Sequence, residues 1–254
     1  LQRKAQTKLQ GALVDMAVRY ETHDGYAEII LDRPKRRNAI SGPLGTELGD
    51  AFLSAGADDT VQAVLFRGEG GAFCSGLDLK EFATDPPPPW LTDWRSTWRR
   101  AHRAIYACDK PIVGALERFA INGGAALILA CDFAFAGDNS FLQVGEVQLG
   151  MAAPYNLAWL ALRFNESVNT ELALVGDRVS GPDLARLGIV RQSVPDEDVL
   201  TTARNFTEKL TAYPAGAPAR IKRTLRGLAD TDIDAWFDTA IAHSAGGAAP
   251  PTLR

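Results

Sequence analysis

The chain has 254 residues, 46% of them hydrophobic and 23% charged, enough for one α/β unit with a full core. Its net charge of −4 and isoelectric point near 5.5 argue against a binder that works by neutralising nucleic-acid phosphates. No apolar run approaches the roughly 20 residues that a membrane-spanning helix needs.

Three cysteines (Cys74, Cys108, Cys131) without metal-type spacing predict a reducing compartment and no disulfide framework, and three scattered histidines argue against a metal site. Arg3, Lys4 and Lys8 precede no apolar core of signal-peptide length, which predicts a cytoplasmic protein. Met16 resembles a natural start, so residues 1–15 read as an N-terminal extension, 16–195 as the core and 196–254 as a helical C-terminal region.

Residues 26–32 form a strand-like run rich in branched apolar side chains, closed by Arg33-Pro34. Lys35-Arg36-Arg37 follows, then Asn38-Ala39; the basic cluster is either a solvated loop or a patch for ligand phosphates. Leu44, Leu48, Phe52 and Ala55 repeat at helical spacing. A strand over 61–66 then feeds Gly71-Ala72-Phe73-Cys74-Ser75-Gly76-Leu77-Asp78-Leu79-Lys80. A strand that turns through small residues into a helix leaves N–H groups unpaired at the helix start, suited to an anion. The plainer reading is a tight turn whose glycines only supply unusual angles.

Asp85 and the four prolines 86–89 predict a stiff extended loop. Trp90, Trp94 and Trp98 fall on one helical face, as core or as pocket lining. A buried strand over 111–116 is expected to continue through Phe119-Ala120-Ile121 into a second glycine turn, Asn122-Gly123-Gly124. The helix after it, 125–130, is apolar all round and therefore buried. A strand over 132–136 precedes Glu146, a carboxylate in an apolar neighbourhood. Helices are expected over 155–164, 168–175, 199–210, 217–228 and 233–242, with Ser180-Gly181-Pro182-Asp183 capping another. Alternating strands and helices indicate α/β layering with crossover helices.

Two familiar motifs fail. Gly68-Glu69-Gly70 follows a strand, but Phe73 stands where a dinucleotide fingerprint needs its third glycine. Ser75 lacks the first glycine of a hydrolase nucleophile elbow, and no His–Asp pair supports it.

The residues 71–79, Gly123-Gly124, Cys131-Asp132 and Leu187-Gly188-Ile189-Val190, in that order, resemble the signature of the crotonase (enoyl-CoA hydratase/isomerase) superfamily, with Arg33-Pro34 and Asn38-Ala39 matching its N-terminal part. The resemblance implies a ββα spiral with a helical C-terminal region, a homo-trimer or hexamer, and an acyl-CoA thioester substrate of fatty-acid type. Coenzyme A is part of that substrate, and no further cofactor, metal, nucleic acid or membrane is implied. By motif position the enolate oxygen is held by the backbone N–H groups of Leu77 and Gly123, and coenzyme A lies along Arg33, Lys35, Arg36, Ala39, Ser75, Gly76, Asp78, Leu79 and Lys80.

Hydratases of the family place two glutamates at the substrate. Here one position matches Glu146, while the other carries Ala126. Glu146-Val147-Gln148-Leu149-Gly150 with Ala153-Pro154 is similar to the corresponding stretch of mitochondrial enoyl-CoA isomerases, although Gly145 replaces their larger polar residue. A single carboxylate suffices to take a proton at C2 and return it at C4. The expected activity is thus enoyl-CoA isomerisation, with a one-glutamate hydratase or a non-catalytic acyl-CoA-binding protein as rivals.

Overall fold

The computed structural model describes residues 16–229 and 231–244; the extension over 1–15 lies outside the described residues. Six strands form the main sheet: β1 Val18–Thr22, β2 Tyr26–Leu31, β3 Ala63–Gly68, β4 Ile112–Leu116, β6 Phe133–Gly137 and β9 Gln192–Val194, in the order β1-β2-β3-β4-β6-β9. All neighbours are parallel except β1 and β2. A second sheet holds β5 Phe119–Ile121, β7 Phe141–Gln143 and β8 Arg178–Ser180.

Helices follow the strands: α1 Gly42–Ala57, α2 Leu79–Phe82, α3 Trp94–Ala107, α4 Gly123–Leu129, α5 Pro154–Arg163, α6 Glu166–Thr170, α7 Gly181–Arg186, α8 Val199–Thr211, α9 Ala217–Leu228 and α10 Ile233–Ser244. A strand in the main sheet, a strand in the small sheet and then a helix recur as β4-β5-α4 and β6-β7-α5, the expected ββα spiral.

The strands bury both faces, as parallel strands do. Ile29, Leu31, Val64 and Phe66 face the large core with Leu44, Leu48 and Phe52 of α1 and Ile105 of α3. Their alternates, Ala63 and Leu65, meet Val199, Ala203 and Leu210 of α8 on the opposite face. Helix α1 sits close to α3 where Gly45 and Gly49 carry no side chain, and Gly42 makes room for Trp90 just before α3; a Cβ on Gly42 would lie 2.4 Å from the Trp90 ring.

The expected single strand over 111–121 is two strands in different sheets. The break is Glu117-Arg118, where Arg118 takes φ 54 and turns the chain out of the main sheet. The expected helix over 168–175 is α6 followed by a π turn, Glu171–Val175. Trp90 is not on the helix of its two partners, because Pro89 opens a separate 3₁₀ turn, Pro89–Asp93. The three rings still meet: Trp94 stacks on Trp98 with centroids 5.5 Å apart, and Trp90 packs edge-on against Trp94. Trp98 is buried as core and also reaches the second glycine turn, its Cζ2 lying 3.9 Å from where a Cβ of Gly123 would be.

Candidate active site

The first glycine turn is held from both sides. Phe73 and Cys74 donate to the carbonyls of Glu117 and Phe119, and Ile121 donates back to Cys74 at 3.0 Å, so the segment runs parallel to β5. On its other side Ile40 donates to the Gly76 carbonyl at 2.8 Å and accepts from Asp78 at 2.9 Å. The Leu77 N–H between these bonds has no partner among the described residues. Asn38 anchors the start of the turn, its buried amide donating to the carbonyls of Glu69 and Ala72.

Cys74 pairs with Ala120, and Gly76 lies against Ile121 and Asn122, which brings the first turn up to the second. Two glycines permit the approach. Gly76, at φ +85, leaves no Cβ to strike the Ile121 carbonyl at 2.9 Å, and a Cβ on Gly124 would lie 2.7 Å from the Cys74 carbonyl. Asn122 then starts α4 from φ 52, ψ −119, a backbone region disfavoured for any side-chain-bearing residue. The Gly123 N–H, first of the helix, also has no partner among the described residues. Two unpaired main-chain donors thus leave adjacent turns, one of them at the positive end of a buried helix.

Glu146 opens a 3₁₀ turn, Glu146–Leu149, after β7. The Gly145 N–H donates to Asn122 Oδ1 at 2.9 Å, which fastens this turn to the second glycine turn. Asn156 Nδ2, from α5, donates to Glu146 Oε1 at 3.1 Å, while Oε2 is buried without a partner among the described residues. Burial dominates and pushes the carboxyl up to about 7, against the opposing hydrogen bonds of its own backbone and Asn156. A carboxyl poised there can take up and release a proton near neutrality.

The basic cluster divides. Arg36 grips Asp78 with both Nε (3.1 Å) and Nη2 (2.6 Å), and Arg33 reaches Asp78 and Glu81 at 3.2 Å each. Burial alone would raise the Asp78 carboxyl, but these arginines outweigh it and hold it low. Arg33 also donates to the Ala39 carbonyl, so Arg33, Arg36, Ala39 and Asp78 knit the N-terminal loop to the first turn. Lys35, Arg37, Leu79 and Lys80 are exposed, Ser75 is half-buried, and Gly76 lies inside the turn. Among the described residues, Lys35, Arg37 and Lys80 make no ion pair.

Other candidates drop out. His102 is fully buried, accepts from Trp159 Nε1 at 2.9 Å, and is depressed by burial to about 3, so it is neutral core. Burial pushes the Cys74 thiol up to about 12, which removes it as a nucleophile. A cavity of about 640 Å³ between α5, α8 and α9 holds neither Glu146 nor either glycine turn, and Asp132 in its wall is paired with Lys222. Asn156 was not singled out in the sequence; its one signal is an amide near the start of an otherwise apolar helix.

The sequence profile of the enoyl-CoA hydratase/isomerase family matches residues 21–235. The chain is 31% identical over 185 residues to the rat mitochondrial Delta(3,5)-Delta(2,4)-dienoyl-CoA isomerase, a match covering 68% of this chain and 57% of that protein. It is 27% identical over 218 residues to the carnitinyl-CoA dehydratase of Proteus mirabilis, covering 85% and 82%. A crystal structure of an enoyl-CoA hydratase/isomerase from Xanthobacter autotrophicus superposes with a TM-score of 0.79 at 29% identity, over 92% of this chain and 89% of that one.

Proposed function

The chain belongs to the enoyl-CoA hydratase/isomerase family, the crotonase superfamily, and from that premise we propose that this enzyme moves a double bond of an enoyl-CoA thioester from the 3 to the 2 position. The observation that carries the reading is the lone carboxylate: Glu146 is desolvated, and among the described residues no second carboxylate bears on it electrostatically. Ala126, at the position of the family's other glutamate, is a buried member of α4.

In this reading the thioester oxygen accepts from the Leu77 and Gly123 N–H groups. Glu146 removes the proton at C2, the electrons move into the thioester carbonyl, and negative charge collects on that oxygen. The protonated carboxyl then delivers the same proton to C4 as the 2,3 double bond forms, so nothing is gained or lost. Fixed main-chain donors act where charge develops, and one such donor is worth roughly 2.7–4 kcal/mol in comparable sites. A carboxyl balanced near neutrality serves both halves of the transfer.

The test is a comparison of 3-enoyl-CoA isomerisation with 2-enoyl-CoA hydration by the wild type and by Ala126→Glu. We expect isomerisation to dominate in the wild type and the ratio to move towards hydration in the variant, because a second carboxylate can hold water near C3. Activities are compared per folded protein, since a carboxylate in an apolar helix costs stability. A wild type that hydrates faster than it isomerises replaces this reading with the one-glutamate hydratase.

Lys35, Arg37 and Lys80 are the cations free to meet the phosphates of coenzyme A in this reading. Lys35→Ala with Lys80→Ala is expected to raise KM with kcat nearly constant, by about 0.2–1 kcal/mol per contact, an effect that fades with salt. An unchanged KM at low ionic strength removes both lysines from the substrate site.

A further inference from the structure

The two free hydrogens of one amide tie the carboxylate to the oxyanion turn. Asn156 Nδ2 donates to Glu146 Oε1 at 3.1 Å and to the Asn122 carbonyl, also at 3.1 Å. That carbonyl and the Gly123 N–H are opposite ends of a single peptide group. Asn156 is 2% exposed, and its Oδ1 has no partner among the described residues, so the two donated bonds alone orient the amide. The Asn122 carbonyl can only accept, so the nitrogen, not the oxygen, must face it.

The peptide it grips is the strained one. Asn122, at φ 52 and ψ −119, is held by its N–H on the Gln143 carbonyl (2.8 Å), by its Oδ1 on the Gly145 N–H (2.9 Å), and by donors to its carbonyl from Ala125, Ala126 and Asn156. The Ala125 and Ala126 bonds belong to the helix start. The bond from Asn156 is the one that comes from outside the turn, and it reaches the base with its other hydrogen.

A donor on a carbonyl draws electron density from the whole amide and strengthens the N–H at its other end, since linked hydrogen bonds polarise one another. We propose that Asn156 is a positioning residue for the reaction, aligning Glu146 for proton transfer and sharpening the Gly123 N–H as a donor to the enolate oxygen. The inference rests on the isomerase reading of the site and adds to it a coupling between base and oxyanion donor. Deprotonation and charge capture then depend on one amide, so they fail together when it is lost.

The experiment uses the full chain with Asn156→Leu, close in size and without polar atoms, and Asn156→Asp, nearly isosteric and without the donated hydrogens when ionised. Two quantities are read per folded protein: kcat and KM on a 3-enoyl-CoA, and the near-ultraviolet enolate band of bound acetoacetyl-CoA, an enolisable thioester. We expect kcat to fall roughly ten- to a hundredfold with KM little changed, the usual loss when a partner that orients a functional group is removed. The enolate band should weaken in the same variants.

A folded variant that keeps the wild-type enolate band overturns the proposal, even if its melting temperature drops, because a purely structural role predicts that pattern. If Asn156→Leu fails to fold, Asn156→Asp decides. A wild type that neither isomerises 3-enoyl-CoA nor holds the enolate defeats the isomerase reading itself, an outcome distinct from an active wild type with indifferent Asn156 variants.

Discussion

Under the proposed mechanism, Glu146→Gln is expected to lower turnover about a hundred- to ten-thousandfold, the range of a lost acid–base group, with thioester binding close to that of the wild type. The amide keeps the shape of the side chain but cannot accept the C2 proton. The wild-type kcat should rise with pH through about 7, as the buried carboxyl ionises, and then level off.

The same group leaves a mark on stability. Its carboxyl ionises at 4.5 ordinarily and at about 7 in the fold, so between those values the folded state holds a proton that the unfolded state has released. Its contribution is therefore complete below 4.5 and lost as pH rises through 7. The Gln variant should melt above the wild type at pH 8 and show no such gain at pH 4. Steady-state kinetics and calorimetry across pH read both effects; near wild-type turnover in the variant would remove Glu146 from the chemistry.

Asp132→Ala is expected to cost about 3–5 kcal/mol of stability, to be read by denaturant unfolding, because it strands buried charge. Asp132 Oδ2 lies 2.5 Å from Lys222 Nζ and accepts from the Ile112 N–H at 2.8 Å; its other oxygen lies 3.5 Å from Arg163 and 4.0 Å from Arg226. The one carboxylate pins α5 and α9 to the start of β6 and the edge of β4. For Lys222, burial is the largest influence and lowers the amine despite the opposing charge of Asp132, so the lysine is the member that sheds its proton when the carboxylate goes. Adding Lys222→Met should recover most of the loss, since removing both partners spares the uncompensated ion. A single-variant cost below about 1 kcal/mol, within the range of exposed pairs, would contradict this account.

Local periodicity carried much of the fold. The sequence places a helix over 217–228 and α9 runs over Ala217–Leu228, because its polar and apolar residues alternate with helical period and Pro218 and Gly216 mark its start. The two glycine turns were legible for a similar reason: small residues between a strand and a helix leave few alternatives. What was hidden depends on partners far apart in the chain. The pairing of Arg33 and Arg36 with Asp78 could not be read locally, because Asp78 lies 42 to 45 positions away. Strands β7, β8 and β9 are three residues each, too short for a period to register, and their pairing defines them instead. Asn156 was invisible because its role exists only where α5, Asn122 and Glu146 converge.

On the proposed reading, the donor pair also sets how this enzyme can be broken by mutation. A main-chain N–H survives nineteen of the twenty residues the genetic code can put at its position, and proline alone deletes it. Leu77 is exposed, so many residues could stand there with the donor intact. Glu146 has no such insurance: every replacement but aspartate discards its carboxyl, and aspartate withdraws it by one carbon. Inactivating changes should therefore fall unevenly, clustering on one side chain and on the glycines of the two turns, Gly123 among them because a Cβ there would lie 3.0 Å from Ile40, while the Leu77 donor passes through most substitutions unharmed.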